Sequence, residues 1–190
     1  ATNRVEKVVE AHQGAITALC YSPDGSTIVT AGEDGNIKTW SQAGIQRGPP
    51  IAAVGKCIYT LVWGTESNDY SGDCVLYSCG HDAIVKPMNP AVKKQMLWKA
   101  HSGVVICADW SRMSNLIITG GEEGTYKVWD PYGRNLFTSK VVGVPTPVTS
   151  VKWSPDGEAF GVGSFNTLRV CDKTGWTQCR ETTTTGSVMA

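Results

Sequence analysis

The sequence predicts an all-β fold, a β-propeller sector of about four consecutive four-stranded blades, and three observations point to it. Short motifs recur after a constant offset of 89 residues. Glycine accounts for 21 of the 190 residues, and turn signals follow one another closely along the chain. Only 18% of the residues are charged, against ~25% in typical globular domains, and the strand-like runs are apolar on both faces. Such strands are expected where blades stack face to face.

A repeated unit is defined by a histidine ahead of its first strand and a tryptophan at the end of its third. His12 recurs as His101 and Trp40 recurs as Trp129, both after 89 residues. Another copy lies halfway, at residues 58–86, and a fourth begins at residue 148. The implied period of about 44 residues is typical of propeller blades. The repeat therefore predicts blades at residues 11–54, 55–98, 99–142 and 143–184, with pieces of flanking blades at 1–10 and 185–190.

The strands of the first unit follow from its turn signals. Pro23 sets φ and Gly25 tolerates a positive φ, which predicts a tight turn between the first two strands. Asp34 followed by Gly35 is a strong hairpin signal for the next connection. The strands predicted between these turns are residues 16–21, 27–31 and 36–40, and residues 45–54 are predicted to hold the outer strand.

Each complete unit contains a histidine, a threonine, an acidic residue and a tryptophan. Threonine, histidine and aspartate could form a catalytic set, in which the hydroxyl is the nucleophile. The alternative is a buried hydrogen-bonded tetrad that connects the strands of a blade. Recurrence at identical spacing favours the tetrad, so no catalytic residue is predicted. A structural network recurs in each repeat, whereas an active site is ordinarily built once per domain. The predicted tetrads are His12, Thr30, Asp34 and Trp40 in the first unit and His101, Thr119, Glu123 and Trp129 in the third.

The second and fourth units lack complete sets. Ser78 and Asp82 are the remnants expected in the second unit. In the fourth unit, Gly161, Phe165 and Cys171 occupy the expected threonine, acidic and tryptophan positions. These two blades are therefore expected to depend on packing alone.

Other kinds of site find little support. Zinc sites usually combine two closely spaced ligand pairs, and the cluster of Cys74, Cys79, His81 and Asp82 lacks a second pair, so neither a metal nor a cofactor is predicted. A formal net charge of zero argues against nucleic-acid binding. No apolar run approaches the ~18 residues needed to span a membrane, so membrane insertion is not expected.

Two aromatic residues and one long loop remain outside the repeat pattern. Tyr132 and Trp176 are candidates for binding a partner protein, since aromatic side chains often anchor interfaces. The alternative is that both close the edges of blades. Residues 66–73 form a longer polar loop without an assigned role.

Two sets of residues carry a resemblance to known families. The pair Ala11-His12 and the Trp129-Asp130 pair match the two ends of the WD40 repeat signature. Off-consensus blocks at residues 84–87 (Ile-Val-Lys-Pro) and 162–176 are more specific. With these blocks the chain resembles the eighty-kilodalton WD-repeat subunits of intraflagellar transport complex B over nearly its whole length.

This resemblance implies a WD40 β-propeller that is part of a larger, seven-bladed ring. Members of that family have two such propellers and a helical tail, and they are non-enzymatic scaffolds for cilium assembly and for transport along the axoneme. The implied partners are other complex B proteins and the rest of the chain's own propeller, in the cytoplasm and the cilium, including its axoneme and basal body. The alternative function is a WD40 recognition module that binds a peptide or a modified protein tail in another intracellular complex.

Overall fold

A computed structural model describes residues 7–52, 57–64, 74–87, 95–141 and 144–189. Fifteen strands in these ranges form four antiparallel sheets that follow one another along the chain. No described residue lies in a helix. We call the sheets blades 1 to 4, and the predicted all-β arrangement of successive antiparallel blades is confirmed.

In three of the four blades, four separate strands each pair with their neighbours in the chain. Blade 1 contains β1 (Ile16–Tyr21), β2 (Thr27–Gly32), β3 (Asn36–Ser41) and β4 (Ile51–Ala52). Blade 2 contains β5 (Ile58–Trp63), β6 (Cys74–Cys79), β7 (Asp82–Pro87) and β8 (Met96–Lys99). Blade 3 contains β9 (Val105–Trp110), β10 (Ile117–Gly121), β11 (Tyr126–Trp129) and β12 (Asn135–Thr138). Blade 4 contains β13 (Val148–Trp153), β14 (Ala159–Asp172) and β15 (Thr177–Ser187).

The turns between first and second strands have the geometry that their sequence predicts. Asp24 accepts hydrogen bonds from the Ser22 hydroxyl at 2.5 Å and from the Ser26 amide at 3.0 Å. Gly25 has φ +71°, a conformation that disfavours side chains with a Cβ. The same turn recurs in blade 4, where Gly157 also has φ +71°. Serine, aspartate and glycine therefore set this turn by local bonding, independently of the neighbouring blades.

The core lies between the blades. One cluster joins blades 1 and 2, a second joins blades 2 and 3, and a third joins blades 3 and 4. Strand β6 illustrates the principle: Tyr77 packs toward blade 1, whereas its neighbour Leu76 packs toward blade 3. All six residues of β6 are buried. Apolar side chains on both faces of such a strand are what sandwiching between two sheets requires.

The outer strand of blade 1 lies within the range predicted to hold it, residues 45–54, and is short. In the described part of that range, β4 pairs Ile51 with Ile37, and an isolated bridge joins Gln46 to Trp40. Pro49 and Pro50 separate the two pairings. Because proline has no amide hydrogen to donate, it interrupts the ladder there.

In blade 4, the Lys173 amide just after β14 donates to the Glu158 carbonyl just before it at 2.9 Å, although 14 residues lie between them. Blade 4 therefore has the predicted four strand segments, because β14 folds back on itself as a hairpin. Its first part, up to Ser164, pairs with β13, and its second part, from Phe165, pairs with β15. Asn166, with φ +54°, lies where the pairing changes from one neighbour to the other. The two arms of β14 thus take the places of the second and third strands of the blade.

Two sequence predictions fall largely outside the described residues. The loop at residues 66–73 lies wholly outside them. Of the flanking blade piece predicted at residues 1–10, residues 7–10 are described and are not in a strand. In the ranges that the structure covers, no helical segment has the length and apolar character needed to cross a bilayer.

Candidate functional site

Strand order brings the four members of the first predicted set together. Trp40 Nε1 donates a hydrogen bond of 2.8 Å to Thr30 Oγ1, and that hydroxyl lies 2.7 Å from His12 Nε2. His12 Nδ1 lies 2.9 Å from Asp34 Oδ1. Since an ionised carboxylate can only accept, Nδ1 carries the proton, and the chain of donors runs from Trp40 to Asp34.

The third blade repeats this geometry with a longer acid. Trp129 Nε1 donates to Thr119 Oγ1 at 2.8 Å, and Thr119 Oγ1 lies 2.7 Å from His101 Nε2. His101 Nδ1 lies 2.6 Å from Glu123 Oε1, which also accepts from the Thr125 hydroxyl at 2.8 Å. The two networks therefore differ only in how the carboxylate is held.

The carboxylates of both networks are held in the ionised form. Burial raises the pKa of Asp34, but hydrogen bonds from His12 and from the Asn36 and Gln13 amides outweigh it and lower the pKa to about 2. In blade 3, burial likewise raises the pKa of Glu123, and bonds from backbone, His101 and Thr125 bring it down to about 2. Each histidine therefore faces a negative charge.

The histidines are closed to solvent. Burial lowers the pKa of His101 below its usual value, although the bond to Glu123 acts in the opposite direction. The side chains of His12 and His101 are 0% exposed, and both ring nitrogens of each are engaged. A substrate could reach neither imidazole without displacing these partners, so the arrangement cannot serve as an accessible acid–base pair.

Two lysines extend the networks, and the sequence analysis did not single them out. Lys38 Nζ donates to the Ala11 carbonyl at 2.5 Å, and Lys127 Nζ donates to the Ala100 carbonyl at 2.7 Å. Each lysine therefore holds the residue just before the tetrad histidine. The available signal was the Lys-x-Trp pattern shared by both units, where lysine precedes tryptophan by two positions.

Strand register corrects the positions assigned to the incomplete units. Leu19 pairs with Thr30 in blade 1, and the matching pair in blade 2 is Leu61 with Tyr77. Tyr77, not Ser78, thus occupies the threonine position. The connection between the second and third strands is one residue shorter in blade 2 than in blade 1. Matching the two units by sequence alone therefore placed the threonine position one residue too late.

The corresponding correction applies to blade 4. Val151 pairs with Val162, so Val162, not Gly161, takes the threonine position there. Val162 is 2% exposed and belongs to the cluster between blades 3 and 4. An apolar side chain has replaced the polar one at a position that stays buried.

The cysteine and histidine cluster of blade 2 is dispersed. Cys74 and Cys79 lie at opposite ends of β6, and both are buried. The His81 side chain is half-exposed in the following turn, 3.4 Å from the Asp82 carboxylate. Nowhere in the described ranges do three or more potential metal ligands gather.

Adjacent blades are linked by hydrogen bonds to the first residue of each next blade. Thr17 Oγ1 donates to the Ile58 carbonyl at 2.5 Å, and Ser78 Oγ donates to the Val105 carbonyl at 3.0 Å. In blade 4, Thr149 Oγ1 donates in the same way to the Val188 carbonyl at 2.6 Å. Val188 thus docks on blade 4 as the first residue of a following blade does.

Asp109 makes a further link between blades, which the sequence analysis also missed. Its carboxylate accepts from the Trp153 amide at 2.7 Å and from Lys152 Nζ at 2.9 Å. The residue is 4% exposed on β9. A buried carboxylate that receives two charge-compensating donors ties blade 3 to blade 4.

The two aromatic residues proposed to bind partners occupy matching turns of blades 3 and 4. Tyr132, 44% exposed, lies between β11 and β12. Trp176, 68% exposed, lies just before β15, and its ring is 5.6 Å from that of Phe137 on β12. Trp176 therefore faces the junction between two blades, whereas Tyr132 packs against no other aromatic ring of the described ranges.

One face of blade 1 is open and apolar. Ile16, Leu19 and Tyr21 are 48%, 61% and 56% exposed. The residues at the same positions of blade 2 are Ile58, Leu61 and Trp63, which are 0%, 5% and 8% exposed because blade 1 covers them. Blade 1 thus presents the surface that blades 2, 3 and 4 bury against a preceding blade.

Comparisons with known proteins agree with this architecture. The family described as "WD domain, G-beta repeat" matches residues 3–41 and 92–130. Intraflagellar transport protein 80 homologs of Mus musculus and Rattus norvegicus are each 46% identical over 185 residues. That alignment covers 97% of this chain, but the chain spans only 23% of the length of those relatives. Telomerase protein component 1 of Mus musculus is 29% identical over 126 residues, 66% of this chain and 5% of that protein.

Proposed function

Since the chain carries WD40 repeats folded as adjacent propeller blades, we propose that it is a sector of a protein–protein scaffold in intraflagellar transport complex B. In this role it would support cilium assembly and transport along the axoneme. Its partners would be other complex B proteins. Its location would be the cytoplasm and the cilium, including the axoneme and basal body.

The observation that carries this proposal is the extent of the similarity. WD40 repeats alone would account for a match at residues 3–41 and 92–130. The 46% identity to the intraflagellar transport relative of Mus musculus extends over 185 residues, well beyond those two ranges. Similarity in the segments without repeat consensus favours a shared role over a shared fold alone.

We also propose that the protein acts without catalysis. An enzyme needs acid–base groups that converge on an accessible pocket. The best candidates, His12 and His101, are inaccessible and fully hydrogen-bonded. We assign the two tetrads a structural role, in which they connect the segment before each first strand to the second and third strands.

We propose that residues 11–54, 55–98, 99–142 and 143–184 are successive blades of a larger ring, with flanking blade pieces at 1–10 and 185–190. The open face of blade 1, formed by Ile16, Leu19 and Tyr21, supports a preceding blade. The docking of Val188 on blade 4 supports a following one. The rest of the propeller is therefore the first partner of this segment.

The ring proposal is tested with the isolated 190-residue segment. An uncovered apolar blade face favours self-association. Sedimentation velocity is expected to detect oligomers, and a variant with Leu19→Ser and Tyr21→Ser should form fewer. A monodisperse segment that melts cooperatively would contradict the proposal.

The scaffold proposal is tested with the tagged full-length protein in ciliated cells. Proteins that co-purify are identified by mass spectrometry, and other complex B proteins are expected among them. Trp176→Ala and Tyr132→Ala test the two rim aromatics, and Met113→Ala, at a residue 72% exposed, is the matched control. Absence of every transport-complex protein from the wild-type sample would refute the proposed function.

A further inference from the structure

A cleft of about 390 Å³ lies between the outer parts of blades 3 and 4. Blade 3 contributes Phe137 of β12, and blade 4 contributes Arg169 of β14 and Trp176. Tyr126 of β11 and Lys140, just after β12, also line the cleft. We call this the rim cleft. Its volume falls within the ~300–1,000 Å³ range of ligand pockets.

The apolar side of the rim cleft is formed by three aromatic rings. Tyr126 and Phe137 stack with their centroids 6.0 Å apart, and Phe137 meets Trp176 edge-on at 5.6 Å. The Tyr126 hydroxyl donates to the Gly175 carbonyl at 2.9 Å, which fixes that ring across the junction between the blades. Trp176 nevertheless remains 68% exposed. The rings therefore form a firm apolar surface that solvent reaches.

The polar side of the rim cleft is cationic. The Arg169 Nε atom is buried and has no hydrogen-bond partner among the described residues, although buried polar groups are normally paired. Lys140 is exposed and forms no ion pair with a described residue. Arg180 pairs directly opposite Arg169 on the next strand, which adds to the positive charge.

Nearby polar groups of other kinds are already occupied. The Ser139 hydroxyl accepts from the Tyr126 amide at 2.9 Å, and the Thr138 hydroxyl donates to Asn135 at 3.1 Å. The Asp172 carboxylate accepts from the Thr174 and Trp176 amides at 2.9 and 3.1 Å. What remains unfilled is the capacity of Arg169 and Lys140 to donate to an anion.

We propose that the rim cleft binds a partner peptide in which carboxylate side chains flank an apolar residue. The apolar side chain would pack on Phe137 and Trp176, and the carboxylates would accept hydrogen bonds from Arg169 and Lys140. This site deepens the scaffold function proposed above and rests on it, because it defines the chemistry of one bound partner.

The test uses the full-length protein and a fluorescein-labelled peptide, Ser-Gly-Glu-Asp-Leu-Glu-Asp-Gly-Ser, in fluorescence anisotropy titrations. A dissociation constant in the micromolar range is expected. The double variant Lys140→Gln, Arg169→Gln should weaken binding about tenfold or more, since each lost charged partner of this kind costs substantial affinity. Trp176→Ala should also weaken it, and this exposed change leaves the fold intact. Lys173→Gln is the matched control, because Lys173 pairs with Glu158 outside the cleft.

Three peptide controls separate the sources of binding. A peptide with glutamine and asparagine in place of the acids, and one with glycine in place of leucine, should both bind weakly. Equal binding of the amide peptide, equal loss in Lys173→Gln, or no binding at millimolar peptide would overturn the proposal. Binding only when a phosphoserine is added would also overturn the choice of carboxylate. Normal co-purification of complex B proteins together with a failed titration would reject the rim cleft and leave the scaffold function standing.

Discussion

Blades 1 and 3 build their interiors differently from blades 2 and 4. At one position of the second strand, blades 1 and 3 have Thr30 and Thr119, each at the centre of a hydrogen-bonded network. Blades 2 and 4 have Tyr77 and Val162 at that position. All four side chains are buried. The same strand pairing therefore tolerates either a satisfied polar network or an apolar side chain.

The comparison indicates what a polar network adds to a blade. A buried threonine without partners would lose the hydrogen bonds it makes with water, so it requires tryptophan and histidine beside it. A buried valine has no such requirement. Networks of this kind are sensitive to the loss of any one member, whereas an apolar position depends mainly on volume.

The largest effect is expected from removing a network histidine. His101→Ala leaves the Thr119 hydroxyl and the Glu123 carboxylate without their common partner, and should lower local stability by about 3 kcal/mol, the upper end of the cost of stranding buried polar groups. Hydrogen exchange of β10 in the full-length protein measures this effect. Ser102→Ala, at the exposed neighbour, is the control and should leave exchange unchanged. Unaltered protection in His101→Ala would contradict the network's structural role. His12→Ala should act likewise on β2.

A second, smaller effect is expected from pH. The pKa of His101 is lowered in the fold, so the unfolded chain takes up a proton first as the pH falls below its unfolded value of about 6.5. The stability it provides is complete above that pH and is lost below it. The pKa values of Asp34 and Glu123, both near 2, add a further loss as the pH falls below about 4.

This pH dependence is measured by urea unfolding of the full-length protein between pH 7.5 and pH 3, roughly the interval that these pKa values define. The variant His101→Gln should have a flatter profile between pH 7 and pH 5, about the range in which an unfolded histidine titrates. A wild-type profile that is already flat there would show that His101 titrates equally in both states.

A third, modest effect is expected from exchanging the acids between networks. Asp34→Glu gives blade 1 the acid that blade 3 uses. Blade 3 holds Glu123 with the Thr125 hydroxyl, whereas in blade 1 Asp34 accepts from the Asn36 amide at 3.1 Å. The longer side chain should therefore cost about 0.5–1 kcal/mol, the worth of one ordinary hydrogen bond. Amide hydrogen exchange of β2 measures this loss of stability. A loss as large as that caused by His12→Ala would mean that glutamate cannot replace aspartate in the network.

The smallest effect, with the opposite sign, is expected in blade 2. Tyr77 is 0% exposed, and its hydroxyl has no hydrogen-bond partner in the part of the chain that the structure describes. Burial raises the pKa of that hydroxyl to about 12. Tyr77→Phe removes the stranded hydroxyl and should leave stability unchanged or raise it by up to about 1 kcal/mol. Leu76→Ala, a buried cavity-forming change beside it, provides the contrast and should destabilise. Clear destabilisation by Tyr77→Phe would reveal a partner for that hydroxyl.

Much of the blade architecture could be predicted from the sequence because its signals are local or periodic. The turn at Gly25 depends on residues next to it, and β1 has the predicted bounds, Ile16–Tyr21. The outer strand of blade 1 lies within the predicted residues 45–54, but its length could not be predicted from the sequence. Outer strands have one neighbour only, so weak pairing, such as that around Pro49 and Pro50, decides their length.

The candidate sites also include features that the sequence could predict and features that it could not. The two histidine networks could be anticipated because all members repeat with the blade. The positions of Tyr77 and Val162 could not, because a hairpin shorter by one residue displaces the comparison, and only strand pairing reveals the register. The roles of Lys38, Lys127 and Asp109 also emerged only from contacts, since a lysine or aspartate on a strand carries no sign of its partner.

By itself, the sequence determined the repeat, the turns, the apolar character of both strand faces and the members of the two polar networks, because each of these depends on residue type and spacing along one chain. Only the tertiary structure decided which faces of the blades are covered and how the rim cleft brings Phe137, Arg169 and Trp176 together. Those three residues come from two blades, and their contact depends on how the sheets stack, which residue spacing does not encode.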